Sequence, residues 1–554
     1  MRLSGAKIIM ECLMEQGADT IFGFPGGQIM PLYDALYDYT TDGRIKHILT
    51  CHEQGATHAA DGYARSTGKV GVCFATSGPG ATNTVTGIAT AYMDSSPIVV
   101  ITGQVPIASI GRDSFQEVDI VGITMPIVKH SYFCKSVEEL APAIREAFRI
   151  AKSGRPGPVL VDVPKNLTVE QGEYEKAAPL PLYESPIVCD EEIELIADLI
   201  NNSERPVIYA GGGVVLSEAS EALRELAEKS RIPVATTLMC LGAVDRKNPL
   251  SLGIAGMHGA IESNTAVNNS DLLIAIGARF SDRVTGDIPR FASGATILHI
   301  DIDMSEIDKN VTSHHQVVGD VKDILTRVIP AIQENKRPMW NSMIEGWKQE
   351  TAPRCEESFG PDEIFGVINE AFGNDVIIAT DVGQHQMWTA QKWPFSKPRQ
   401  LITSGGLGTM GFGLGAAIGA QIANPGKRVL LITGDGSFRM NCAELMTVSS
   451  QELPLIVFVL KNNTLGMVRQ WQKLFFDRRY SATDLADVLD YEGLAGAFGL
   501  KGWRVDSSEG LKNAIDAALE FGRGAVIACD VSIDENVWPI VPPGDAINNQ
   551  VVGE

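Results

Sequence analysis

Arg428 to Trp471 reads RVLLITGDGSFRMNCAELMTVSSQELPLIVFVLKNNTLGMVRQW, and the rest of the chain is best interpreted outward from it. An apolar run, Val429 to Ile432, ends in the turn Gly434-Asp435-Gly436. A helical stretch follows, and a second apolar run, Leu455 to Leu460, ends in Asn462-Asn463. Two buried strands joined by a helix form a βαβ unit, which brings both strand ends to one edge of a parallel sheet, where such sheets bind ligands. Asp435 and Asn462 are therefore expected to be neighbours. One charged and one neutral oxygen at that edge suit magnesium, which commonly takes one or two ligands from protein and the rest from phosphates and water. Gly434 and Gly436 would let the backbone approach a phosphate at a helix N-terminus.

A GDG turn alone is usually strand-to-helix punctuation. GDG followed by NN at the end of the next apolar strand is more specific, and its spacing resembles the signature of thiamine-diphosphate enzymes. That resemblance implies Asp435, Asn462 and the backbone carbonyl of Thr464 as magnesium ligands. The loop reads KNNT, which offers Asn462 or Asn463 as the side-chain ligand, and counting back from Leu465-Gly466-Met467 favours Asn462.

The totals narrow the class. At 554 residues, 44% hydrophobic and 21% charged, the chain has the composition of a soluble globular protein and the length of about three or four domains. A formal net charge of −22 argues against nucleic acid or an anionic membrane surface as partner. No apolar run reaches the roughly 18 residues of a membrane span and the N-terminus lacks a signal-peptide layout, so a cytoplasmic protein is expected. Nine cysteines without a CxxC pair read as buried reduced thiols.

Toward the N-terminus, strand-like runs alternate with helical spacing: Thr20 to Phe24, Ile45 to Thr50, Val70 to Ala75 and Ile98 to Gly103. This alternation indicates a parallel sheet covered on both faces. Glu53 follows the second run. On its own such a residue is a solvated helix cap; thiamine chemistry gives it a sharper role, because the aminopyrimidine of that cofactor needs one carboxylate in a dry pocket.

Glu53 in HEQGATHAADGYAR, then TSGPGATN, GQVPIASIGRDSFQEVDIVG and SGRPGPVLVDVPKNL, resemble the pyrimidine-binding domain of the acetohydroxyacid synthase (acetolactate synthase) catalytic subunits. The likeness runs nearly end to end. It implies Glu53 as cofactor activator, Gly27 beside the reacting centre, Phe115 and Gln116 in the pocket and Lys165 near the substrate entrance. Read without the family, the last three are a core aromatic, a turn residue and a solvated lysine.

Tyr174 to Pro186 reads as a linker. Beyond it, strand-like runs Pro206 to Ala210, Pro233 to Thr236, Asp271 to Ile276 and Thr296 to Ile302 form another α/β unit. Gly211 to Gly213 is not a GxGxxG fingerprint and is by itself a structural turn. GMHG, GARFSDRVTG, HIDID and GDV resemble the family's FAD-binding domain. By that resemblance Arg155, Gly212, Thr237, Leu238, Met257, His258, Arg279, Asp301, Ile302, Asp320 and Val321 line a flavin that does no net redox work in the main reaction. Arg283 is implied to meet the substrate carboxylate, whose two oxygens a guanidinium fork can pair; taken alone it is a surface ion pair with Asp282.

Lys336 to Arg354 reads as a second linker. After it come a strand, Val376 to Ala379, and a Gly-rich run from Ser404. The resemblance implies Gly383, Gln384, His385, Gly436 and Ser437 at the diphosphate, Gly408 at the aminopyrimidine, and Met410 as the apolar wedge that bends the cofactor. Val382, Met467 and Trp471 would wall the acceptor's alkyl group, the last two on one helix face if Gly466 onward is helical. The tail NVWPIVPPGDAINNQVV resembles a lid that closes over the site.

The expected architecture is α/β with three doubly wound parallel-sheet domains: 1–173 pyrimidine-binding, 187–335 FAD-binding, and 357–554 diphosphate- and magnesium-binding with the C-terminal lid. The implied reaction decarboxylates pyruvate on thiamine diphosphate and condenses the hydroxyethyl enamine with pyruvate or 2-ketobutyrate. Its products are 2-acetolactate or 2-aceto-2-hydroxybutyrate, in valine, leucine and isoleucine biosynthesis. The resemblance also implies Glu53 from one subunit and the metal site from its neighbour, hence a homodimer or homotetramer, with a small regulatory subunit. A pyruvate-oxidase-like redox enzyme and a non-catalytic cofactor-binding subunit remain as alternatives.

Overall fold

The structure, a computed structural model, describes residues 1–350 and 359–553. Three six-stranded parallel sheets follow one another along the chain. In the first, the spatial order is Lys46–Leu49, Thr20–Gly23, Gly71–Ala75, Ile98–Gln104, Val159–Pro164, His130–Phe133. In the third it is Leu401–Ile402, Val376–Thr380, Arg428–Gly434, Ile456–Lys461, Ala525–Asp530, Lys501–Val505. Numbered along the chain, both sheets run 2-1-3-4-6-5, so the two outer units repeat one topology. The middle sheet, with its six strands between Pro206 and Val318, runs 3-2-1-4-5-6, the order of dinucleotide-binding sheets.

Both faces of the interior strands are buried, which explains their near-continuous apolar runs. In the strand Ile98–Gln104, Val99 and Ile101 enter one core and Val100 another. The core that takes Val100 continues into the third sheet through Val429, Leu431 and Val457, so the two outer units share it.

The seam between them is built of small residues. Helix Glu53–Thr67 lies against helix Phe412–Ala423, and a β-carbon at Gly62 or Gly419 would overlap Ala416 O or Ala59 O, respectively. Gly415 sits where a β-carbon would come within 2.8 Å of His58 Cβ. This close backbone approach fixes the helix whose first residue is Glu53.

One linker expectation is corrected. Lys336 to Arg354 is no linker over its described part, because Pro338–Glu350 is a helix with Trp340 and Ile344 buried against the middle sheet's core. The Trp340 indole N–H donates to Pro206 O at 3.1 Å. Residues 351–354, and the expected start of the third unit at 357, lie outside the described residues. Tyr174 to Pro186 forms no helix or strand. Among the described residues no helix is long and apolar enough to cross a membrane, and the eight described cysteines are all unpaired.

Candidate active site

Parallel pairing of Gly434 with Leu460 brings the GDG turn beside the asparagine loop, as the βαβ reading requires. Asp435 is buried, and its two carboxylate oxygens accept backbone N–H groups: Gly436 at 3.0 Å and Asn463 at 2.7 Å. Burial pushes its carboxyl above the usual range, only partly offset by those two bonds. A buried carboxylate left in this position is suited to a cation. Asn462 donates to Gln384 Oε1 at 3.1 Å, while its own Oδ1 accepts the Thr464 N–H at 3.2 Å.

One cleft collects most of the residues expected at the diphosphate. Val382, Gly383, Gln384, His385, Met410, Asp435, Gly436, Ser437, Asn462, Thr464 and Met467 all line it. His385 is enclosed, which pushes its ring down to about 3 and keeps it neutral, and its Nε2 is buried without a partner. An unpartnered polar atom of this kind, beside the Gly383 and Gly434 backbone, marks a place for a polar atom of a ligand.

The glycines of the turn make room for side chains as well as for a ligand. A β-carbon on Gly434 would stand 2.8 Å from His385 Nδ1, and one on Gly436 2.7 Å from Leu465 Cδ2. Gly408, at positive φ, lies beyond Val382 in the loop that carries Met410. Asp94 of the first unit holds that loop through the N–H groups of Gly405 and Gly406, and Asp381 caps its end through Gly413 N–H and the Thr433 hydroxyl.

Glu53 does not line this cleft, and neither does any other residue of the first sheet. It opens helix Glu53–Thr67, buried, with Oε2 accepting from Asn83 Nδ2 at 2.9 Å. Gln116, at φ 62°, packs on Gly78, while Gly27 has open space where a β-carbon would be. Phe115 is 84% exposed, so within one chain it walls nothing. Lys165 starts the short helix after strand Val159–Pro164.

The flavin candidates fall where a dinucleotide sheet presents its ligands. Gly212, Thr237, Leu238, Met257, His258, Arg279, Asp301, Ile302, Asp320 and Val321 are at or just beyond the carboxyl ends of the middle strands. The Thr237 hydroxyl is buried without a partner, and burial raises Asp301 to about 6. Asp320 instead caps helix Val321–Val328, accepting from the N–H groups of Lys322 and Asp323. Arg155 reaches across from the first unit to pair with Asp303 and Glu306 at 3.2 and 2.5 Å.

Helix Gly466–Phe475 places Met467 in the cleft and Trp471 one turn further on, outside it. The Arg283 guanidinium stands 5.9 Å from the Trp471 ring centre and 3.7 Å from Asp282, so the surface pair is present and the same guanidinium lies beside Trp471. The C-terminal tail packs on the middle unit: Val541 N–H donates to Met257 O, and Pro539 O meets His258 Nδ1. None of its residues lines the cleft.

Sequence reading missed Asn83, Asp381, Glu444 and Gln470, whose Oε1 accepts from Gln384 Nε2 at 3.1 Å. Asp381 follows an apolar strand and could have been found by position. Glu444, which accepts from the N–H groups of Cys51 and His52, has no local signal, because its partners lie far away in the chain.

Comparison with known proteins gives the family. Residues 3–123 match the profile described as thiamine pyrophosphate enzyme, N-terminal TPP binding domain; 193–328 match the central domain, and 381–529 the C-terminal TPP binding domain. Together these place the chain among the thiamine pyrophosphate enzymes. The acetolactate synthase large subunit of Parasynechococcus marenigrum is 48% identical over 564 residues, covering 100% of this chain and 91% of that protein. The isozyme 2 large subunit of Escherichia coli is 45% identical, covering 99% of each. The chain therefore belongs to the acetolactate synthase large-subunit family.

Proposed function

We propose that this protein is the catalytic subunit of an acetolactate synthase. It decarboxylates pyruvate and joins the two-carbon remainder to a second 2-keto acid, giving 2-acetolactate from pyruvate or 2-aceto-2-hydroxybutyrate from 2-ketobutyrate, in branched-chain amino acid synthesis. The observation that carries this reading is the cleft at the third sheet's edge, where Asp435, Asn462 and His385 converge in a chain of this family. Thiamine diphosphate, when bound, supplies the stabilised carbanion that the reaction needs.

The chain's own residues position and dry that chemistry. Asp435, Asn462 and the Thr464 carbonyl would hold magnesium, with the diphosphate completing its shell. His385, Gln384 and Ser437 would meet phosphate oxygens, and Met410 would fill the bend of the cofactor. Glu53 would hold a proton at N1′ of the aminopyrimidine. Because Glu53 lies outside its own chain's cleft, that role requires Glu53 of a second copy, and the working unit is at least a homodimer. Arg283 would pair the 2-keto acid carboxylate, while Val382, Met467 and Trp471 face its alkyl group. The middle unit would carry FAD, supported by its strand order and the unpartnered Thr237 hydroxyl. A small regulatory subunit is the natural partner of a chain of this family.

The test is acetolactate formation from pyruvate, with and without 2-ketobutyrate, on protein supplied with thiamine diphosphate, Mg2+ and FAD. Acetolactate without net flavin reduction supports the reading. Flavin bleaching by pyruvate without acetolactate would replace it with an oxidase.

A further inference from the structure

Lys461, the residue just before Asn462, is 2% exposed, and its ammonium meets two carboxylates: Asp530 at 3.1 Å and Asp487 at 3.0 Å. Arg504 closes a ring from the other side, at 2.8 Å from Asp530 and 3.3 Å from Asp487. Each aspartate thus bridges both cations, one oxygen to each. Lys461 and Asp530 are register partners on adjacent parallel strands, so that side of the ring belongs to the sheet. Asp487 does not belong to the sheet. It ends the excursion that leaves the strand at Lys461, carries Asn462, Thr464, Met467 and Trp471, and returns at Thr483 to Asp487.

The returning segment is bonded to the asparagine loop. Leu465 N–H donates to Thr483 O and Leu485 N–H to Asn463 O, both at 2.8 Å, and the Thr464 hydroxyl donates to Thr483 O at 3.0 Å. Arg439, on the helix that begins at Asp435, donates to Ala486 O, and Arg469 pairs with Asp484 at 3.5 Å. The Leu485 side chain is within 3.5 Å of where a β-carbon on Gly436 would stand. The ammonium of Lys461 holds the Asp487 carboxyl below the usual carboxylate range.

We infer that Lys461 is a positioning residue for the metal loop: through Asp487 it staples the two ends of the 462–486 excursion together, fixing Asn462 and Thr464 and the helix that carries Met467 and Trp471. The physical case is the burial of one lysine. A buried ammonium persists only where paired and hydrogen-bonded, so leaving the Asp487 carboxylate would strip half of its pairing. The excursion is therefore penalised for opening at its base, while its tip, Phe476 to Tyr480, is exposed and unconstrained by this ring. Partners that orient metal ligands without touching the metal commonly change affinity by about 10- to 100-fold when removed.

This inference rests on the reading of Asp435 and Asn462 as metal ligands, and the test separates the two. Asp487→Asn and Lys461→Met are made in the full chain, with Asp487→Glu as the conservative rescue and Asp435→Asn as the control on the metal reading. Binding of Mg2+ in the presence of thiamine diphosphate is measured by calorimetry, alongside amide hydrogen exchange of peptides covering 462–466 and 483–487. Expected are a Mg2+ affinity roughly tenfold weaker in Asp487→Asn, substantially restored in Asp487→Glu, and exchange faster in both peptides. Since Asp487 is partly exposed, its asparagine variant folds even if Lys461→Met does not. Wild-type Mg2+ affinity and exchange in Asp487→Asn, with affinity lost in Asp435→Asn, overturns the staple alone. Unchanged affinity in Asp435→Asn overturns the metal reading beneath it.

Discussion

Glu444→Ala is expected to lower kcat through Glu53 while leaving the metal cleft as it is. Glu444 is buried and accepts from Cys51 N–H at 3.2 Å, His52 N–H at 3.1 Å and the Thr447 hydroxyl at 2.6 Å. Cys51 and His52 immediately precede Glu53, so this carboxylate anchors the peptide that presents the acid proposed to activate the cofactor. A hydrogen bond to a charged acceptor is worth about 1.5–3 kcal/mol net. Alanine removes two such backbone bonds but also relieves the desolvation that pushes the Glu444 carboxyl above its usual range. The balance is a loss of about 2–4 kcal/mol. If half of that falls on the placement of Glu53, kcat drops about 5- to 30-fold. Glu444→Gln keeps a carbonyl oxygen for the paired N–H groups and should stay within about threefold of wild type. The assay is initial-rate acetolactate formation at saturating pyruvate, thiamine diphosphate and Mg2+, with the Mg2+ half-saturation recorded separately. A wild-type kcat in Glu444→Ala would refute the anchoring argument. Equal damage from Gln and Ala would shift the cause from placement to charge.

Glu53→Gln should lower kcat by about 10²- to 10⁴-fold with unchanged circular dichroism, since the acid is lost and the Asn83 contact can be kept. Trp471→Leu should alter the ratio of kcat/KM for 2-ketobutyrate over pyruvate by about 10- to 200-fold, read in a competition assay. Trp340→Ala should destabilise by about 3–5 kcal/mol in urea unfolding, against less than about 0.5 for the exposed neighbour Met339→Ala. Burial raises the Asp162 carboxyl to about 7 despite donors from Thr102 and Gln104. A raised folded value means that the unfolded chain releases its proton first, so stability falls as pH rises from about 4 toward 7, by up to about 4 kcal/mol. Asp162→Asn should flatten that slope in urea midpoints measured across the window.

What could be read from the sequence was local. Strand Pro206–Ala210 came out with its bounds because both faces of a parallel strand are buried and its apolar run is continuous. The Asp435–Asn462 juxtaposition followed from one βαβ unit. The helix Pro338–Glu350 was hidden by its charged outer face, although Trp340, Ile344 and Trp347 recur at helical spacing behind a proline suited to a first turn. Glu444 and the Lys461–Asp487 pair were illegible for another reason: their partners are set by tertiary packing, and no periodicity connects Cys51 to Glu444. The separation of Glu53 from its own chain's cleft had no signal in the residues themselves and was implied only by the family resemblance.

The glycine and alanine seam under helix Glu53–Thr67 has one more consequence. Side chains damp small displacements by changing rotamer, and this contact has almost none to change. The outer two thirds of the chain must then tilt as a single lever. A methyl group added at Gly62 or Gly419 would push directly on the helix that Glu53 opens, with no rotamer to absorb it.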